Sequence, residues 1–152
     1  MQPVTPHAIQ KNRLINSLRR WTQTPEFQSS MASLWERRHP CFANVWGSSL
    51  AALVATMRWQ ASQQGLRQPV VIVCDTDKQM DVLADELLTF GLEERHVTRF
   101  PTIEATQVEK IPGDWAYGQR LRLAQALRDG DLVNGVLLAS VASLMQTLPS
   151  HE

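Results

Sequence analysis

Asn44-Val45-Trp46-Gly47-Ser48-Ser49-Leu50-Ala51 stands where a phosphate-binding loop belongs and lacks that loop's chemistry. Cys41-Phe42-Ala43 before it reads as a short strand, and Leu50, Leu53, Val54 and Met57 after it have helical spacing. This strand–loop–helix setting is that of the Walker A pattern, G-x-x-x-x-G-K-S/T. Laid on the pattern, Asn44 and Ser49 replace the two glycines, Leu50 the lysine and Ala51 the metal-binding hydroxyl. Gly47 and Ser48 occupy variable positions.

Each replaced group has a task. The glycines let consecutive backbone N–H groups approach phosphate oxygens, the lysine charges the outer phosphates, and the hydroxyl holds Mg²⁺. Leu50 donates no hydrogen bond and Ala51 ligates no metal. What survives is a helix N-terminus whose N–H groups can hold an anion weakly. ATP is therefore not expected as a cofactor of this segment. A strand-to-helix turn of other ancestry would carry the same residues, so the weight rests on the rest of the chain.

The 152 residues suffice for one domain with an accessory segment, and a 43% hydrophobic share predicts a packed core. Fifteen Lys and Arg balance fifteen Asp and Glu, which argues against a dominant nucleic-acid surface. Cys41 and Cys74 have no metal-ligand spacing, nor do His7, His39, His96 and His151, so no metal site is expected. Two isolated thiols, no membrane-length apolar run and no signal-peptide core read as a soluble, cytoplasmic chain with no membrane partner.

Residues 1–40 read as a helical extension and 41–152 as the main domain. His7 to Trp21 carries Leu14, Leu18 and Trp21 at helical spacing, beside a basic cluster of Lys11, Arg13, Arg19 and Arg20. That cluster suits phosphate contact or a solvated amphipathic helix, and the neutral total favours the helix. Thr24-Pro25 opens a second helix, with Phe27, Met31, Leu34 and Trp35 on one face, ended by His39-Pro40.

Farther on, Pro69 to Cys74 is a β-branched run expected to be a strand buried on both faces. Asp75-Thr76-Asp77 offers turn and cap residues, with Asp75 favoured as the N-cap over a metal-holding role. The helix that follows uses Met80, Leu83, Leu87 and Leu88, and Gly91 fits its C-terminal stop. Val97 to Phe100 reads as a strand and Pro101 to Gly113 as a loop. Trp115 to Leu127 reads as a helix burying Leu121, Ala124 and Leu127. Gly135 to Ser140 is a second fully apolar strand, and Val141 to Leu148 a last turn or two stopped by Pro149. Such alternation implies an α/β fold, a parallel sheet with helices on its faces. Ligands of such sheets bind beyond the carboxyl ends of the strands, where the loop after residue 43 and the Asp75 turn are both expected.

Four segments together resemble the first domain of bacterial transcription-repair coupling factors (Mfd), itself similar to the first domain of the excinuclease protein UvrB. Val45 to Leu53 is like the family's G-S-x-x-A-L remnant of a Walker A. Pro69 to Asp75, continued by Leu83 to Leu87, is like its next strand and helix. Phe100 to Glu104 with Gln119 to Leu123 looks like its F-P-x-W-E and S-x-R-L signatures, and Gly135 to Gln146 like its G-V-L strand and L-M-Q helix. Order and spacing agree over about residues 41–150. Ile103 departs from the family's tryptophan, and Ala105 to Gly113 lacks its L-P-Y.

The resemblance implies a degenerate P-loop NTPase-like domain of the UvrB domain 1a type. It implies a longer parent protein, an ATP-dependent DNA translocase that displaces stalled RNA polymerase and recruits the nucleotide-excision machinery. This chain would be its non-catalytic, structural and protein-interaction part, with the parent's other domains as partners. The excinuclease protein UvrA, RNA polymerase and DNA would be met through the parent. The family's UvrA-binding surface belongs mainly to a second domain inserted after a strand like Gly135 to Ser140, and that domain is not in this sequence.

Two rival functions fit the same residues. One is a weak nucleotide or nucleic-acid phosphate binder that uses the helix N-terminus at Gly47-Ser48 together with Arg120. The other is an unrelated α/β interaction module. Arg120, which matches the family's arginine, can pair with Glu104 or Glu109, line an anion site, or join Arg122 on a solvated helix face; the last is the expectation. The tryptophans at 21, 35, 46, 59 and 115 read as core or docking surface rather than base-stacking platforms.

Overall fold

Val136–Ser140 (β3) is buried along its whole length because it is the middle strand of a three-stranded parallel sheet. Val70–Cys74 (β1) pairs with it on one side, Val70 opposite Val136, and Val97–Phe100 (β2) on the other, Val97 opposite the same residue. The computed structural model describes residues 6–36, 38–103, 115–132 and 135–147, and excludes the side chains of 6–13 and Trp35. Its helices are α1 (Pro6–Trp21), α2 (Pro25–Trp35), α3 (Ser49–Gln63), α4 (Asp77–Thr89), α5 (Trp115–Asp129) and α6 (Val141–Met145).

The strand order β1-β3-β2 dictates where the helices go. From β1 the chain steps over β3 to β2 through α4, then returns to β3 through α5. Two right-handed crossovers in opposite directions put their helices on opposite faces. Side-chain alternation agrees. Val136 and Leu138 pack with Met80, Leu83, Ala84 and Leu87 of α4 and with Ala51, Val54 and Ala55 of α3. Leu137 and Ala139 point the other way, packing with Phe100 and Leu123 of α5. Each fully buried Leu or Val of this kind contributes about 1.5–3 kcal/mol of transfer free energy.

α4 follows its sequence closely. Thr76 is the N-cap, its hydroxyl accepting from Gln79 N at 3.2 Å, while the Gln79 side chain accepts from Asp75 N at 2.9 Å. The cap is therefore Thr76 and not Asp75, which is exposed. Gly91, at φ 99°, ends the helix with Leu92 N donating to Leu87 O at 3.1 Å, a left-handed stop that glycine adopts without steric cost.

Three expectations are corrected. β1 is buried on one face only: it is an edge strand, and Val71 and Val73 are 52% and 55% exposed because α5 covers β2 and β3 but stops short of them. α5 buries Ala116, Arg120 and Leu123, and Leu127 lies in solvent. Its apolar residues alone misplace the inward face, because a buried arginine sits at its centre. No strand forms at 41–43 either. Phe42 and Val45 instead pack with Phe27, Met31 and Leu53, so this segment is held by α2 and α3 rather than by the sheet. That same cluster ties the helical extension to the main domain. Of the expected loop Pro101 to Gly113, residues 101–103 are irregular and 104–113 lie outside the described residues, as does the chain beyond Thr147.

Candidate functional site

The segment 44–51 turns sharply before α3. Asn44 (φ 58°) and Gly47 (φ 52°) both take left-handed backbone, which asparagine and glycine adopt most readily. Space is not what calls for glycine at 47, since a Cβ there would meet nothing within 4 Å. Ser49 N donates to Trp46 O at 3.1 Å and Leu50 N to Gly47 O at 3.2 Å. Those are two of the backbone donors that a phosphate loop would direct at its ligand, and here turn carbonyls take them.

The side chains of the loop are equally engaged. Ser48 Oγ donates to Glu86 Oε1 at 2.5 Å. The carboxylate thereby sets a negative charge beside the positive end of α3, where an anion is favoured electrostatically. Leu50 packs against the main core and Ala51 is fully buried in it. Trp46, by contrast, is 79% exposed at the tip of the turn.

The loop's location also differs from the expected one. α4 leaves the carboxyl end of β1 and runs back toward the amino end of β2. Glu86 belongs to its last turn, so its bond to Ser48 draws the start of α3 alongside that turn and away from the carboxyl edge. The physical reason is the missing strand: without residues 41–43 in the sheet, nothing aims the loop at the strand ends.

The carboxyl edge itself is closed by polar side chains. Arg120 is 1% exposed. Its Nη1 donates to Pro101 O at 2.8 Å and Ser143 O at 2.9 Å, and its Nη2 to Gln146 O at 2.9 Å. The guanidinium carbon stands 4.3 Å from the centroid of the Phe100 ring, within cation–π range. Burial lowers the Arg120 pKa, yet a guanidinium keeps its proton throughout the range in which proteins fold. Arg120 thus bonds the terminal carbonyls of α6, at the negative end of that short helix, and the expectation of a solvated face is corrected. Arg122 is exposed, as expected of a solvated position. Glu104 and Glu109, the alternative partners for Arg120, lie outside the described residues.

Beside the arginine, Ser140 and Ser143 form a reciprocal capping box, with bonds of 3.0 Å in each direction. Thr102 Oγ1 donates to Asp77 Oδ1 at 2.9 Å, leaving Ser140 Oγ as donor in its 3.2 Å contact with Thr102. Gln146 clamps Ile103 through both its amide oxygen and its amide nitrogen, at 2.8 and 2.7 Å. The hydroxyls are spent on one another, on the Asp77 carboxylate and on backbone. Asp75, the residue with the position of a metal-holding acid, takes no part in these bonds.

Of the residues singled out by sequence, the structure keeps Asn44, Gly47, Ser48, Ser49, Leu50 and Ala51 in one turn and does not bring Arg120 to it. Glu86, Thr102, Ser140, Ser143 and Gln146 were not singled out. Ser140-x-x-Ser143 has capping-box spacing and was legible in principle. The others act across separations of 25 to 43 residues that no local pattern reports. No family model matches the chain, and no curated protein or solved structure does.

Proposed function

We propose that this chain is a non-catalytic, structural and protein-interaction domain of a transcription-repair coupling factor, related to the degenerate P-loop domain of the UvrB type. One observation carries the non-catalytic half: two backbone donors and a hydroxyl of the turn are already committed. Ser49 and Leu50 N–H groups bond turn carbonyls, and the Ser48 hydroxyl bonds Glu86, whose charge repels a phosphate from the same place. In this reading the ancestral grip on nucleotide has become a packing contact between α3 and α4.

The coupling-factor half rests on the four-segment resemblance. The α/β architecture supports it in coarse outline, and so does the burial of Arg120, whose S-x-R-L position then has a structural reason to exist. The parent's ATP hydrolysis and DNA translocation belong to other domains; this one contributes surface. UvrA and RNA polymerase are reached through the parent protein.

Calorimetric titration with Mg-ATP tests the first half, with no saturable heat expected and micromolar binding overturning it. Pull-down of the chain against RNA polymerase, the excision proteins and the remaining coupling-factor domains tests the second. Retention of the latter domains supports it, and failure to retain any of these proteins counts against it.

A further inference from the structure

The two edge strands of the sheet, β1 and β2, are finished differently. β2 carries Arg99, ion-paired to Asp81 and Asp85 of α4 at 3.1 and 3.4 Å. Charged side chains on an edge strand discourage pairing with a further chain. β1 has no such guard: Val70-Val71-Ile72-Val73-Cys74 is uncharged and runs along β3 without a bulge. Hydrogen-bond phase fixes what this edge offers. Val70 N donates to Gly135 O at 2.9 Å, so the backbone groups of Val70, Ile72 and Cys74 face β3. Those of Val71 and Val73 face outward, and among the described residues nothing bonds them there.

Two outward residues flanking Ile72 make the edge self-complementary. In an antiparallel pair centred on Ile72, Val71 of one copy meets Val73 of the other, and each such pair exchanges two hydrogen bonds. The ladder also has natural ends, since Pro69 lacks an N–H and Asp75 N already donates to Gln79 Oε1. The side chains fit the same pairing. Val71 and Val73 project from the face that α5 leaves open, about half of each exposed, and directly opposed β-branched side chains stabilise a ladder. Charge matches as well. Exposed Arg67 precedes the strand and exposed Asp75 follows it, with Asp77 and Lys78 beyond cancelling each other. Antiparallel pairing lays the basic end of each copy beside the acidic end of the other.

We propose that β1 pairs antiparallel with β1 of a second copy of this chain, about a twofold axis at Ile72, joining two three-stranded sheets into one. So short a ladder makes a weak, concentration-dependent dimer. The interface is separate from the 44–51 loop and does not rest on the repair-factor reading. Sedimentation velocity of the full chain from about 5 to 500 µM tests it, with amide hydrogen exchange at both ends of that range. A monomer–dimer equilibrium is expected, the Val71 and Val73 amides slowing at high concentration. Val71→Pro removes an outward N–H and spares the bonds to β3, so it should weaken the dimer about tenfold or more. Val73→Lys, which guards the edge with charge, should do the same, with circular dichroism showing each variant folded. Arg67→Asp should weaken the dimer about threefold, and Arg67→Asp combined with Asp75→Arg should restore it. A monomer at every concentration, a dimer unchanged by Val71→Pro and Val73→Lys, or one whose Val71 and Val73 amides exchange as in the monomer would overturn the proposal.

Discussion

The guanidinium of Arg120 lies over the ring of Phe100, 4.3 Å from its centroid, and from there reaches backbone carbonyls on two other segments. One side chain thus holds the end of β2, the start of α5 and the whole of α6 together. Burying a charge is costly unless it is paired or hydrogen-bonded; here three carbonyl bonds from Nη1 and Nη2 and an aromatic face offset that cost, while the buried Nε makes no hydrogen bond.

Arg120→Met leaves the carbonyls of Pro101, Ser143 and Gln146 without this donor. The expected loss is about 3 kcal/mol of unfolding free energy, read by urea denaturation. Arg120→Lys keeps the charge but not the planar fork, and should recover only part of it. Arg122→Met, on the exposed side of the same helix, should stay within about 0.5 kcal/mol of the native chain. Equal effects at 120 and 122 would contradict the assignment.

Placing the Walker A lysine and hydroxyl at positions 50 and 51 should not create nucleotide chemistry. Leu50→Lys with Ala51→Thr places a charge at a half-buried position and extra volume at a fully buried one. About 2 kcal/mol of destabilisation is expected from overpacking and desolvation. Thermal unfolding with and without Mg-ATP reads both effects at once. A rise in Tm on adding Mg-ATP would show that the loop is still competent.

Cys74 gives a pH signature. Burial pushes its thiol pKa up, whereas Cys41 is exposed. A thiol raised in the fold stays protonated where the unfolded chain ionises. Its stability contribution is therefore complete below the unfolded thiol value and is lost as pH climbs from there toward the folded one. Unfolding free energy should fall across that alkaline window, and less steeply in Cys74→Ala. Under native conditions, a thiol reagent should titrate Cys41 quickly and Cys74 only after denaturation.

The capping box at the head of α6 is expected to matter more than a surface cap. Ser140→Ala removes the acceptor for Ser143 N and the contact to Thr102 together, costing about 1–2 kcal/mol. Ser143→Ala should cost a similar amount, and the double variant less than the sum, because each serine's bond depends on the other. Strict additivity in chemical denaturation would argue that the two act independently.

Met31→Ala tests whether the helical extension belongs to the fold. Met31 is fully buried against Phe27 and Leu53. Truncation in a core of this kind costs about 2–5 kcal/mol. If α2 is integral, hydrogen exchange of α3 should accelerate along with that of α2. Acceleration confined to α2 would mark the extension as a separable layer.

Much of this protein follows from local pattern. The β-branched run at 70–74, the apolar run at 136–140, the spacing of Met80, Leu83 and Leu87, and the stop at Gly91 each act within a few residues. Their alternation sufficed for a parallel α/β sheet. The absence of a lysine and a hydroxyl at Leu50 and Ala51 is equally plain, since a side chain that is absent cannot be supplied by folding. Tertiary structure decided the rest, because it depends on which distant groups meet. The sheet left 41–43 out, the strand order made β1 an edge, Glu86 reached Ser48, and Arg120 found carbonyls 19 to 26 residues away. An arginine can be solvated by water or by carbonyls, and only the carbonyls themselves, brought in from two distant segments, settle which.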